Sequence, residues 1–118
     1  MGSTVIAQCP CGYEAELAVG GGRRTYRTIC YFPCLCKACR KLVQANLLAD
    51  PLACPDCGSV EIVPYDQPEL AGASGESQVA HWAMEDRLGR DLVLTDGTYR
   101  CPACESPTLR FLPWGLFD

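Results

Sequence analysis

Eight of the ten cysteines in this 118-residue chain fall into four tight pairs: Cys9-Pro10-Cys11, Cys36-Lys37-Ala38-Cys39, Cys54-Pro55-Asp56-Cys57 and Cys101-Pro102-Ala103-Cys104. A gap of one or two residues lets both sulfurs of a turn face one point in space. Four such turns supply two tetrahedral sets of soft donors, the arrangement a zinc ion takes with thiolates at about 2.3 Å. Disulfide frameworks rarely come as four close doublets, so metal ligation is the expected use of these cysteines. It also answers a size problem. Modules this small bury too little apolar surface to fold on that alone, and metal-binding free energy becomes folding free energy.

Residues 1–8 contain no basic stretch followed by a long apolar run, so no export signal is expected, and no apolar run is long enough to span a bilayer. A reducing, cytoplasmic setting and no membrane partner are therefore expected. The formal net charge is −4 with every cysteine counted neutral. Eight thiolates and two divalent cations would carry it to near −8, which opposes a polyphosphate ligand. Arg23, Arg24, Arg27, Lys37, Arg40 and Lys41 form a local basic stretch. Its plainest reading is a solvated strand face and turn, with a nucleic-acid patch as the alternative.

Residues 13–19 alternate, placing Tyr13, Ala15, Leu17 and Val19 on one face of a strand. Gly20, Gly21 and Gly22 permit a reversal, residues 23–32 read as the returning strand, and Pro33 ends it. Residues 42–48 and 60–63 read as strands on either side of a turn at 49–51, and residues 64–77 as a loop or linker. Residues 77–88 read as a helix capped by Ser77, with Val79, Ala80, Ala83, Met84 and Leu88 on one face and Gly89 as its stop. Residues 91–94 and 99–100 read as a hairpin around Asp96-Gly97.

The spacing from Cys36 and Cys39, across fourteen residues, to Cys54 and Cys57 needs no other partner, and Pro55 and Gly58 favour the second turn. Cys9, Cys11, Cys101 and Cys104 then form a second group that brings the chain ends together. Two other pairings remain open: first pair with second and third with fourth, or first with third and second with fourth. The first pair is one residue short, which tightens its bite. Cys30 and Cys34 are left over; Cys34 could displace Cys36, but both read more simply as small buried apolar residues.

Residues 36–57 resemble the zinc ribbons of small RNA-polymerase subunits and of many translation and ribosomal proteins, and the chain as a whole resembles small bacterial zinc-ribbon proteins. That resemblance implies fold and metal without implying an activity. Cys11-Gly12-Tyr13 and Cys54-Pro55-Asp56-Cys57-Gly58 are also similar to rubredoxin knuckles, which implies iron as the alternative metal. The short first knuckle and the scattering of aromatic residues along the chain favour zinc.

Closed four-cysteine sites leave no open coordination position, so no catalytic residue is assigned. His81, the single histidine, reads as a surface partner of Glu85, and Glu14 and Glu16 as a solvated face opposite Arg24 or Arg27. Residues 109–118 are apolar for a chain end. They are expected to fold over the second metal group, with Trp114 and Phe117 as anchors for a partner in the other reading.

The expectation is a small β-rich metal-bound domain over residues 1–118, with zinc-ribbon-like hairpins, two four-cysteine sites and one short helix. Within it, 34–64 would be a central ribbon, 1–33 with 91–118 a second metal module, and 65–90 a loop and helix. The expected function is a non-enzymatic adaptor holding two zinc ions and binding a protein. An iron electron carrier and a nucleic-acid-binding ribbon are the alternatives.

Overall fold

The computed structural model describes residues 2–22, 27–49 and 51–117. Its elements are β1 (Gly2–Gln8), β2 (Glu14–Gly20), β3 (Tyr31–Cys36), β4 (Lys41–Asn46), β5 (Ile62–Pro64), a 3-10 turn at Pro68–Leu70, β6 (Gln78–Trp82), α1 (Glu85–Leu88), β7 (Leu92–Thr95) and β8 (Arg110–Phe117). Six strands form one sheet in the order β4-β3-β2-β1-β8, with β5 also paired to β3. All the pairings are antiparallel. β6 and β7 form a separate hairpin, and β6 packs against β1, β2 and β8.

The alternation read in β2 is present: Leu17 and Val19 are buried, while Glu14 and Glu16 face solvent. Glu14 accepts a hydrogen bond from Gln8 on the neighbouring strand. Arg24 lies outside the described residues with the rest of 23–26; the expected 23–32 strand is corrected beyond them, since residues 27–30 are turn and irregular backbone and the strand begins at Tyr31. Pro33 does not end it. Proline cannot donate to a ladder, and here its carbonyl accepts the Tyr65 amide (3.0 Å) while β3 runs on to Cys36.

The helix expected over 77–88 is replaced by a strand and one helical turn. Buried Ala80 and Met84 and half-buried Trp82 follow a period of two through β6 and just beyond it, a spacing that the apolar residues of 79–88 satisfy as well as a helical one. Ser77 caps nothing: its amide donates to Asp96 Oδ1 (3.1 Å) and its carbonyl accepts the Asp96 amide. Gly89 does close the short turn α1, in the left-handed conformation at φ 76°. The hairpin of 91–94 with 99–100 is also corrected. β7 pairs with β6, and Tyr99 bridges Ala71 and Leu109 instead. The supposed linker is therefore pinned, with Gly72, Ala73, Glu76 and Ser77 all hydrogen-bonded to residues 96–98.

One buried cluster draws its side chains from the large sheet, from the β6–β7 hairpin and from the loops between them. At its centre Tyr65, Tyr99 and Phe111 meet edge to face, with ring centroids 5.1 to 6.1 Å apart. Aromatic residues scattered in sequence are thus grouped in space, which removes one of the two sequence arguments against an iron site.

The residues around β6 make two tests available. Gly20 ends β2 at φ 94°, and a Cβ there would sit 2.5 Å from ring carbons of Trp82. Gly20→Ala should cost about 1–3 kcal/mol from backbone strain and displacement of the indole, measured by urea denaturation with metal present. Asp91 Oδ1 accepts the amides of Met84 (3.0 Å) and Glu85 (3.1 Å), and Oδ2 lies 3.3 Å from His81 Nε2. The Met84 amide first, then His81, holds this carboxyl below its ordinary range. Asp91→Ala should speed hydrogen exchange at Met84 and Glu85 by about tenfold, as lost caps do.

Candidate metal centres

Each knuckle is a turn held by its own backbone. The Cys54 amide donates to the Ser59 carbonyl and the Gly58 amide returns to the Cys54 carbonyl; Cys101 with Ser106 and Glu105 with Cys101 repeat that pattern. The short first knuckle closes in the same way one residue earlier, through Cys9 to Tyr13 and Gly12 to Cys9. Its missing residue therefore shortens the loop without removing its hydrogen bonds. The knuckle at 36–39 joins β3 to β4, with Cys36 opposite Lys41 in the ladder.

Every knuckle places a left-handed residue directly after its second cysteine: Gly12 (φ 101°), Arg40 (φ 53°), Gly58 (φ 77°) and Glu105 (φ 62°). Glycine adopts that conformation freely. Arginine and glutamate do so at a cost of roughly 1–2 kcal/mol each.

The four turns bring the eight cysteines together as two groups, Cys9/Cys11/Cys101/Cys104 and Cys36/Cys39/Cys54/Cys57, with the sulfurs of each group all within 4.8 Å of one another. Sulfur pairs lie 3.7 Å apart in the first (Cys9–Cys104, Cys11–Cys101) and 3.6 and 3.8 Å apart in the second (Cys36–Cys57, Cys39–Cys54). A regular tetrahedron of thiolates at zinc distance has an edge of about 3.8 Å. The donor sets therefore fit a tetrahedral divalent ion. The first cysteine of each knuckle is buried, while the second is exposed in three knuckles and half-buried at Cys39. One side of each site thus faces the core.

The surroundings favour charge on sulfur. The Cys39 amide points at Cys36 Sγ (3.5 Å) and the Asp56 amide at Cys54 Sγ (3.4 Å). Thr108 Oγ1 lies 3.1 Å from Cys9 Sγ and, with the Cys11 amide, holds that thiol below its ordinary range. The Ser106 amide is the largest influence bringing Cys104 down to about 6. Burial works against ionisation of Cys36, but the amide and thiol of Cys39 outweigh it and bring Cys36 to about 7. Within each group other thiols move the opposite way. The hydrogen bond with Cys36 leads in pushing Cys39 up to about 12, and burial pushes Cys101 up to about 12. Four sulfurs this close cannot all ionise without a cation among them. Binding one displaces protons, so affinity should fall as pH falls.

Cys30 and Cys34 stand outside both groups. Each is fully buried, and burial pushes their thiols up to about 11 and about 12. Cys34 Sγ is directed at the Phe32 carbonyl (3.4 Å), away from the place of Cys36. His81 sits on β6 beside Asp91, so the expected pair with Glu85 is corrected. The sequence reading missed Thr108, which lies four residues beyond Cys104, and the Lys41–Asp56 ion pair that ties the two central knuckles together.

β8 runs along β1 at the sheet edge, with Leu109 and Phe111 buried below it. The register shifts between Thr4 and Val5, so Trp114 has no partner on β1 and is 64% exposed.

These features define a small β-rich chain with two four-cysteine groups able to hold metal. No family model, curated protein or solved structure matches it. Among the described residues no helix is long and apolar enough to cross a membrane.

Proposed function

We propose that this chain is a cytoplasmic, non-enzymatic zinc-ribbon protein in which two structural zinc ions fix a surface that binds another protein. The observation that carries the reading is the pair of four-sulfur groups, each with all its sulfurs within 4.8 Å of one another and two sulfur–sulfur contacts of 3.6 to 3.8 Å. Four thiolates on each ion leave no position for substrate or water, so the metal would hold turns in place. The segment from β3 through β5, with a knuckle on each side of β4, supports the ribbon resemblance.

Zinc is favoured over iron because the two rubredoxin-like knuckles fall in different groups: Cys11 lies in one and Cys57 in the other. A protein partner is favoured over nucleic acid by the net charge of −4, which loading of both sites would deepen. Exposed Trp114 and Leu112 on β8 give such a partner apolar anchors.

The test follows metal, fold and binding on one preparation. Proximity cross-linking of the zinc-loaded chain should recover a protein whose binding is lost together with near-ultraviolet circular dichroism on chelation. Binding that survives unfolding would contradict the reading. A coloured, iron-loaded protein with a reversible one-electron couple would replace it with an electron carrier. A salt-sensitive gel shift would replace the protein partner with nucleic acid.

A further inference from the structure

Two of the four knuckles place a charged residue where the other two place glycine. Arg40 and Glu105 both occupy the left-handed position directly after a metal-group cysteine, and both line the same cleft. That cleft, about 290 Å³ in volume, lies between the knuckle of Cys36 and the knuckle of Cys101, so it is framed by both cysteine groups. Arg100, Lys37 and Glu69 complete its charged wall, over a floor that includes buried Leu70.

The charges are not used up internally. Lys37 pairs with Glu69 across the cleft at 3.5 Å. Among the described residues, Arg40, Arg100 and Glu105 make no ion pair, either with one another or with a third group. The backbone of Arg100 is nevertheless fixed: its amide donates to the Leu70 carbonyl, and its own carbonyl accepts the Tyr65 hydroxyl at 2.8 Å. Arg40 and Glu105 thus hold charged side chains at equivalent positions at a backbone cost, both on one cleft, and strain of this kind clusters at binding sites.

We propose that this cleft is a recognition site for a peptide segment carrying an acidic and a basic side chain around an apolar one. Arg40 and Arg100 take the carboxylate, Glu105 takes the cation, and the apolar side chain rests on the Leu70 floor. Guanidinium pairs are suited to a carboxylate. A polyphosphate is disfavoured here, because Glu69, Glu105 and the thiolates of two loaded sites surround the cations. The proposal rests on the reading of this chain as a protein-binding module and names where and what it binds.

The test uses the zinc-loaded full chain, labelled with 15N. It is titrated with blocked tripeptides combining Glu or Asp, Leu, and Lys or Arg in every order. A second set replaces the charged residues with glutamine, and inorganic phosphate is titrated separately. The charged set should move the Arg40 and Arg100 Nε–H signals and the Glu105 amide, and the neutral set and phosphate should not. Arg40→Gly and Glu105→Gly should each keep two metal ions and melt no lower than the parent chain, because glycine relieves the backbone, while affinity falls about tenfold. Equal shifts from the neutral set, shifts from phosphate alone, or variants that bind as well as the parent would overturn the proposal. Peptide-induced shifts confined to the β8 edge around Trp114 would overturn the cleft and leave the protein-binding reading standing. Absence of any metal-dependent protein partner would remove that wider reading.

Discussion

Cys101→Ser should leave the chain largely unfolded at 25 °C in metal-replete buffer, while Cys34→Ala remains folded. Both sulfurs are fully buried, so loss of apolar burial alone would make the two variants similar. The difference lies in what each sulfur does. Cys101 belongs to a group of four whose members come from residues 9–11 and 101–104, the two ends of the chain. Zinc binding to four thiolates supplies roughly 10–16 kcal/mol of apparent free energy in small domains, and a metal held by this group would contribute on that scale. The net stability of a whole domain is only about 5–15 kcal/mol. Losing one thiolate in four forfeits enough of that energy to exceed the margin. Cys34 only packs, so Cys34→Ala should cost about 1–2 kcal/mol and leave two metal ions bound. Circular dichroism with elemental analysis on both variants separates the cases. A folded Cys101→Ser chain retaining two ions would show that this group does not hold metal in the way described.

Tyr65→Ala should produce the next largest loss, about 3–5 kcal/mol, without changing the metal count. Its ring is fully buried against Tyr99 and Phe111 and joins the loop after β5 to β8 and to the last knuckle. Removing it opens a cavity where three segments meet, and the surrounding strands cannot collapse into it without breaking their ladders. Tyr65→Phe keeps the packing and removes only the hydrogen bond to the Arg100 carbonyl. It should cost about 1–2 kcal/mol, because that carbonyl is left unpaired. Urea denaturation of the two metal-loaded variants gives the split directly. Equal losses would mean that the hydroxyl, not the ring, carries the effect.

The metal groups were the most legible part of this chain, because ligand spacing is a local property. The span from Cys36 to Cys57 identified one group by itself, and the outer cysteines followed as the remainder. Pairing at a distance was not legible. Asp96-Gly97 reads as a hairpin turn, yet Asp96 is occupied holding Glu76 and Ser77, and β7 finds its partner in β6. Residues 77–88 read as a helix because their apolar spacing satisfies both periods over so short a run, and only the packing of β6 on the large sheet decides between them. Pro33 reads as a terminator because it cannot donate a ladder hydrogen bond, but its carbonyl still accepts, and the Tyr65 amide donates to it. Thr108 carried no signal beyond its distance from Cys104, since a hydroxyl beside sulfur depends on where β8 begins.

The left-handed residues show what structure adds to a motif that is already recognised. Gly12 and Gly58 look like part of a knuckle on sight, whereas Arg40 and Glu105 do not. Only the backbone angles reveal that all four positions are equivalent, and that two of them hold charged side chains at a conformational cost.

Whether the two four-cysteine groups hold metal, and through it the fold, is read from metal-to-protein stoichiometry on the purified native chain. Far-ultraviolet circular dichroism of the same sample before and after complete chelation completes the measurement. Two tetrahedrally ligated ions per chain are expected, with loss of the β spectrum when both are removed. A chain that carries fewer than two ions while folded, or that keeps its native spectrum with none, would show that metal does not hold this fold.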